Sequence, residues 1–291
     1  MEMIVRASPT SLPSHFTGRP EVRKRMRDFF SSQIRNANTR RAYLEAVRQF
    51  SAFCAQHGVA DLALVKPVHV AAFVEVQFRQ CSKPTVKQRL AALRRLFDWM
   101  VVGQVLSTNP THAVRGPKHT QKNCKTPVLT VNEARALIHA IDTTSLPGLR
   151  DRALIALMIY TFARVGAAVS MRVEDFFVQG RQSWVRLHEK GGKEHEMPTH
   201  HNLGDYLEEY IATAGIGHDL KGLLFRTSKG PGGELADRPL LQSDVWRMIR
   251  RRATAVGMKT EIGCHTFRAT GITAYFLNGG KLEIAQQMAN H

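Results

Sequence analysis

The chain has 291 residues, 43% of them hydrophobic, with 12 prolines and no long uninterrupted apolar run, which excludes a disordered chain and predicts a folded, soluble protein without a membrane span. The net charge is +17 and it is uneven: residues 1–125 hold 21 Lys and Arg against 7 Asp and Glu, whereas residues 126–291 hold 20 against 17. A first part at +14 beside a second at +3 points to a polyanion-binding module joined to something else, with nucleic acid ahead of an anionic membrane surface.

Residues 1–20 lack the apolar core of a secretory signal and are expected to be a flexible lead-in. Residues 21–113 read as helices. The stretch NANTRRAYLEAVRQFSAFCAQHG opens on an Asn-rich cap and closes at Gly58, with Tyr43, Val47, Phe50 and Cys54 at helical spacing and Arg40 and Arg41 outside that stripe. Pro67 suits the first turn of a second helix. In SKPTVKQRLAALRRLFDWM, Val86, Leu90, Leu93, Phe97 and Met100 form an amphipathic stripe, with Lys87 and Arg94 seven apart on one face. Lys83 and Thr85 lie at that helix's start, where unbonded N–H groups favour phosphate. Any one of these basic residues can be ordinary surface charge; the cluster is what points to DNA.

Residues 114–127 carry Arg115, Lys118, Lys122 and Lys125 without an acid and are expected to be a basic linker that lies along a backbone. Residues 128–291 are mixed. Thr130 and Glu133 spell a capping box, and GLRDRALIALMIYTFARVGAAVSM reads as an apolar helix broken near Arg164. SWVRLHEKGGKEHEMPTH alternates Trp184, Arg186 and His188 with Val185, Leu187 and Glu189, then turns at Lys190-Gly-Gly-Lys193, which predicts a β-hairpin. NLGDYLEEYIATAGI, QSDVWRMIRRRATAVG and GCHTFRATGITAYFLNGGKLEIAQQMANH read as further helices. Cys54, Cys81, Cys124 and Cys264 are scattered without a C-x-x-C pair, so neither a disulfide framework nor a zinc site is expected. The expected fold is a mainly α N-terminal bundle followed by a mixed α+β domain with a small antiparallel sheet.

Arg164 at a helix break, Lys190 on a turn, His265-x-x-Arg268 on a helix and His291 are each weak signals. In this order and spacing the segments TFARVGAAVSMRVEDF, HEKGGKEHEMP, CHTFRATGITAYFLNGG and IAQQMANH resemble the tyrosine recombinases of the phage-integrase family. The resemblance covers about residues 20–291 and implies a SAM-like core-binding domain followed by a catalytic domain. It implies a reaction in which a tyrosine attacks a DNA phosphodiester, leaving a 3′-phosphotyrosyl link and a free 5′-hydroxyl, with no metal, ATP or other cofactor. Arg164 and Arg268 would then clamp the non-bridging oxygens with forked, charge-assisted bonds. Lys190 would protonate the leaving oxygen, with Lys193 its rival. His265 would assist proton transfer, and His291 would hydrogen-bond the phosphate.

Two departures stand out. The family carries an acidic residue three positions after the first arginine, where this chain has Ala167; Glu174 or Asp175 is expected to substitute. The family nucleophile lies about nine residues beyond the second histidine, and none of Tyr43, Tyr160, Tyr206, Tyr210 and Tyr275 matches it. Tyr275 follows Arg268 by seven residues, about 10 Å of helix rise, too far for both to meet one phosphorus. The sequence therefore predicts a chain that binds duplex DNA without cleaving it, as a monomer in solution, whereas intact relatives act as tetramers on DNA. The alternative is a naturally truncated, non-catalytic relative that occupies recombination sites. The resemblance further implies a cytoplasmic, nucleoid-associated protein, bacterial or phage-encoded.

Overall fold

The computed structural model describes residues 12, 13, 16, 18–120, 126–189, 192–230 and 233–290. The chain divides into two compact units between Lys122 and Asn123.

The first unit holds α1 (Pro20–Asp28), a π turn (Phe29–Gln33), α2 (Ala37–Gln56), α3 (Pro67–Gln80) and α4 (Lys83–Val102). Asn36 starts α2 by accepting from the N–H groups of Asn38 and Thr39 at 3.0 and 3.1 Å, donors that the first helical turn would otherwise leave unbonded. Gly58 leaves the helix at φ 70°, a conformation that costs glycine little. Val47, Phe50 and Cys54 are fully buried, and the Phe50 ring meets Phe73 at 5.2 Å and Phe97 at 6.2 Å, edge to face in both cases. The five-residue stripe of α4 is buried throughout. Burying each such side chain stabilises the unit by about 1.5–3 kcal/mol. Burial also pushes the Cys54 thiol up to about 12, so it packs as a small apolar group rather than reacting.

The second unit runs α5 (Val131–His139), α6 (Leu146–Tyr160), α7 (Val165–Ser170), β1 (Phe176–Gln179), β2 (Gln182–Glu189), β3 (Lys193–Pro198), α8 (His201–Ala214), β4 (Arg226–Lys229), β5 (Glu234–Pro239), α9 (Gln242–Ala255), α10 (Cys264–Leu277) and α11 (Leu282–Ala289). The predicted hairpin is β2–β3, in the register Leu187 to His195 and Glu189 to Lys193. The structure adds β1, antiparallel to β2, and a separate β4–β5 pair. The expected mixed α+β unit with small antiparallel sheet is present; β4 (RTSK) and β5 (ELADRP), which the sequence reading did not single out, are short and polar, without the alternation that marks a strand.

Helix α6 is the centre of the unit, with Ala153 to Met158 fully buried. Its one buried acid, Asp151, accepts from Arg150 Nη2 at 2.7 Å and Arg252 Nη2 at 2.8 Å. Arg150 Nη1 also donates to the Arg226 carbonyl at 2.8 Å, so the same cluster ties α6 to α9 and to the β4–β5 pair. A buried carboxylate is tolerable only with such partners.

Candidate active site

The site grows from the end of α6. Thr161 Oγ1 donates back to the Leu157 carbonyl at 2.6 Å and accepts from the Ala163 N–H at 3.3 Å. Phe162 then takes φ 56°, a left-handed conformation that costs a non-glycine residue about 1–2 kcal/mol. That turn points the Phe162 carbonyl at α10, where Arg268 Nη1 donates to it. Arg268 Nη2 donates to the Ala289 carbonyl at 2.6 Å, in the last turn of α11. One buried guanidinium thus fastens the α6–α7 corner to the C-terminal end of α11, where the helix dipole favours a cation. Gly271 makes this approach possible. A Cβ there would overlap the Ile159 carbonyl oxygen and touch the Phe162 ring.

Arg164 caps α7 in an extended conformation. Its Nη1 donates to Glu189 Oε2 at 2.7 Å, with the Arg164 side chain 35% exposed and the Glu189 side chain 5%. The two arginines feel one another: burial and the Arg164 charge both hold Arg268 below the usual guanidinium range, and Glu189 offsets them. Burial likewise holds His195 below the ordinary imidazole range, against the pull of Glu189, and its Nε2 is buried with no hydrogen-bond partner. His265 lies exposed in the first turn of α10, lining an open groove with Val165, Trp246 and Cys264.

The expected substitutes for the acid absent at Ala167 are not the partners of Arg164. Glu174 pairs with Lys221 at 2.8 Å, and Asp175 accepts from the Arg172 N–H at 2.8 Å and meets His188 at 3.1 Å. The partner is Glu189, which sequence reading passed over as one member of an alternating strand. A signal was present: Glu189 shares the face of β2 with Val185 and Leu187, both buried, and a carboxylate on a core face must be paired.

Lys190, His291, Lys122 and Lys125 lie outside the described residues. Lys193, the alternative lysine, is exposed at the start of β3. Among the DNA-binding candidates, Arg41, Lys83 and Lys87 are exposed. Arg40 donates to the Ile34 carbonyl at 2.9 Å and Arg94 to the Val114 carbonyl at 2.6 Å, so both help hold their own unit together. Thr85 exchanges a 2.9 Å hydrogen bond with Ser82. Among the described residues no group of three or more His, Cys, Asp or Glu is placed to hold a metal, and no helix is long and apolar enough to cross a membrane.

The tyrosines have other partners. Tyr210 is fully buried, donates to the Leu224 carbonyl at 2.8 Å and has its phenol pushed up to about 12 by burial. Tyr160 stacks on His200, Tyr206 lies under the Arg152 guanidinium and Tyr275 meets Phe162 edge to face. Tyr43 packs on the core of the first unit.

The chain thus holds a helical unit followed by an α+β unit with two small antiparallel sheets, and in the second unit Arg164 and Arg268 act on one another's charge. The profile of the Phage integrase family matches residues 127–291, and that of the phage integrase N-terminal SAM-like domain matches residues 27–102. The chain belongs to the phage integrase family, the tyrosine recombinases. It is 27% identical over 258 residues to the tyrosine recombinase XerD of Ralstonia nicotianae, covering 87% of this chain and 80% of the relative. It is 24% identical over 268 residues to XerD of Staphylococcus saprophyticus, covering 88% and 84%. In fold it resembles the XerH site-specific recombinase bound to palindromic difH substrate, at TM-score 0.67 and 18% identity over 97% of this chain and 85% of that one. It also resembles a lambda integrase dimer bound to a COC′ core site, at TM-score 0.68 and 18% identity over 92% and 93%.

Proposed function

We propose that this protein binds duplex DNA at a specific recombination site and presents one phosphodiester to Arg164 and Arg268. The observation that carries the reading is their arrangement in a member of this family: two guanidiniums close enough to depress one of them, one fixed by backbone carbonyls and the other by a carboxylate. Such a pair stabilises the extra negative charge of a pentavalent phosphoryl transition state. Lys190 is the general acid for the leaving 5′-oxygen, His265 assists proton transfer, and His291 hydrogen-bonds the phosphate. Arg41, Lys83 and Lys87, with Lys122 and Lys125 of the basic segment, follow the backbone. Arg40, Thr85 and Arg94 contribute through the helix starts and chain segments that they hold. The domains divide as 21–113 for core binding, 114–127 for the linker and 128–291 for catalysis.

The reaction class is site-specific strand cleavage and rejoining through a 3′-phosphotyrosyl intermediate, on a tetramer assembled at DNA in the bacterial cytoplasm. We read none of the five tyrosines in these 291 residues as the nucleophile, since none has the position that the family resemblance calls for; the packing of each in a core or against a neighbouring ring or guanidinium supports that reading. A polypeptide of these residues therefore binds without cleaving.

Selection from a randomised duplex library tests this. The expected result is one recovered sequence class, affinity that falls steeply with salt, and complexes that dissociate fully in detergent. Recovery of no preferred duplex would overturn the site-specific reading. A detergent-resistant adduct would show that one of the five tyrosines attacks after all.

A further inference from the structure

Helix α7 carries no acidic residue of its own, and yet Arg164 at its start is tightly held. The hold comes from Glu189, the last residue of β2, through one N–H of the fork at 2.7 Å. The contact is one-sided. Glu189 lies inside the unit while about a third of the Arg164 side chain faces solvent. The two acids that the sequence offers just beyond α7 are engaged elsewhere, Glu174 by Lys221 and Asp175 by Arg172 and His188. His195, on β3 opposite Leu187, is held below the ordinary imidazole range by burial, against the pull of Glu189.

We propose that Glu189 is a positioning residue for the phosphate site: it grips Arg164 from the core side by a single N–H, screens it from Arg268, and leaves the outward N–H groups of the fork aimed at an incoming DNA phosphate. The proposal rests on the reading of Arg164 as a phosphate ligand. Two guanidiniums in a partly desolvated corner repel, and without a resident anion the more exposed one would swing into water. A neutral acceptor at position 189 would remove this counter-charge, and a neutral hydrogen bond alone would not hold the partly exposed guanidinium against water.

Guanidinium nitrogen NMR on the DNA-free 291-residue chain reads this directly. In the wild type, Arg164 should show hindered rotation about its Cζ–N bond and slowed N–H exchange, as Arg252 and Arg150 should on Asp151. In Glu189→Gln the Arg164 signal should merge with those of solvent-exposed arginines, while Arg252, Arg150 and the amides of Val185, Leu187 and Met197 stay in place. A merely structural role for Glu189 predicts the opposite pattern, with the strand amides moved and Arg164 unchanged, and that outcome overturns the proposal.

A second comparison does not require the Glu189→Gln single variant to fold. Arg164→Gln leaves a buried carboxylate unpaired, so Arg164→Gln/Glu189→Gln should be the more stable of the two, by on the order of tenfold in the unfolding equilibrium constant. Equal stability, or a less stable double variant, overturns the pairing. Both readings are made without DNA. A protein that fails to select a duplex but shows the Arg164 signature would refute the recombination-site reading and leave the Glu189 pair standing.

Discussion

Replacing Arg268 by lysine isolates what its guanidinium does. The two η nitrogens reach different carbonyls, Phe162 on the α6–α7 corner and Ala289 at the end of α11. An ammonium keeps the charge but is a single point on a flexible stem, so it retains at most one of these contacts. Each charge-assisted bond to a carbonyl is worth about 1.5–3 kcal/mol net, and the more strongly hydrated ammonium also loses more on burial. Arg268→Lys should therefore destabilise the second unit by about 2–4 kcal/mol. That is a large share of a domain's usual 5–15 kcal/mol, yet survivable. The loss should be uneven. Urea unfolding gives the total, and hydrogen exchange should show α11 (Leu282–Ala289) opening far more readily than α6. A change under about 0.5 kcal/mol, or exchange in α11 equal to that of the wild type, would refute the fastening role.

Three further outcomes follow from the packing. Gly271→Ala gains about 1 kcal/mol of helix propensity, but its Cβ would meet the fixed Ile159 carbonyl rather than a flexible side-chain end; the collision should win, giving a net loss of about 1–3 kcal/mol in thermal or urea unfolding. Asp151→Asn removes the charge shared by Arg150 and Arg252 and should cost about 3–5 kcal/mol, measured the same way. Stability should also fall as the solution is acidified. Burial holds His195 and His200 below the ordinary imidazole range, so the unfolded chain takes up protons first. Their contribution is complete above a pH of about 6.5 and is lost progressively below it. His195→Gln should flatten that slope in unfolding experiments across pH 5–7 if His195 carries its share.

Much of the fold was legible because long helices repeat their signal. The stripe in α4 and the capped start of α2 recur over 20 residues each, and the Thr130–Glu133 box forms with its N–H to Oε2 bond at 2.8 Å. The β4–β5 pair was not legible, since its strands are short and polar and one of its ties to the core is Arg150 reaching in from α6, a partner 76 residues away in sequence. The site divides the same way. Arg164 and Arg268 could be picked out through the family resemblance of the segments that carry them, but their mutual approach depends on a left-handed Phe162 and on Gly271, neither of which announces its role locally. Glu189 was visible only as a charge on the wrong face of a strand. The same is true of Asp151 in the apolar α6. In both positions a lone buried charge signalled a long-range partner that composition and periodicity could not name.

The central claim is that Arg164 and Arg268 meet one DNA phosphate. The direct measurement uses a duplex recovered by selection, carrying a neutral methylphosphonate at each backbone position in turn, with binding measured for the wild type and for Arg268→Gln and Arg164→Gln. The account predicts one position at which neutralisation weakens wild-type binding by about tenfold or more, and at which both variants are already weak and lose little further. Equal losses at that position in wild type and variants, or the absence of any such position, would contradict it.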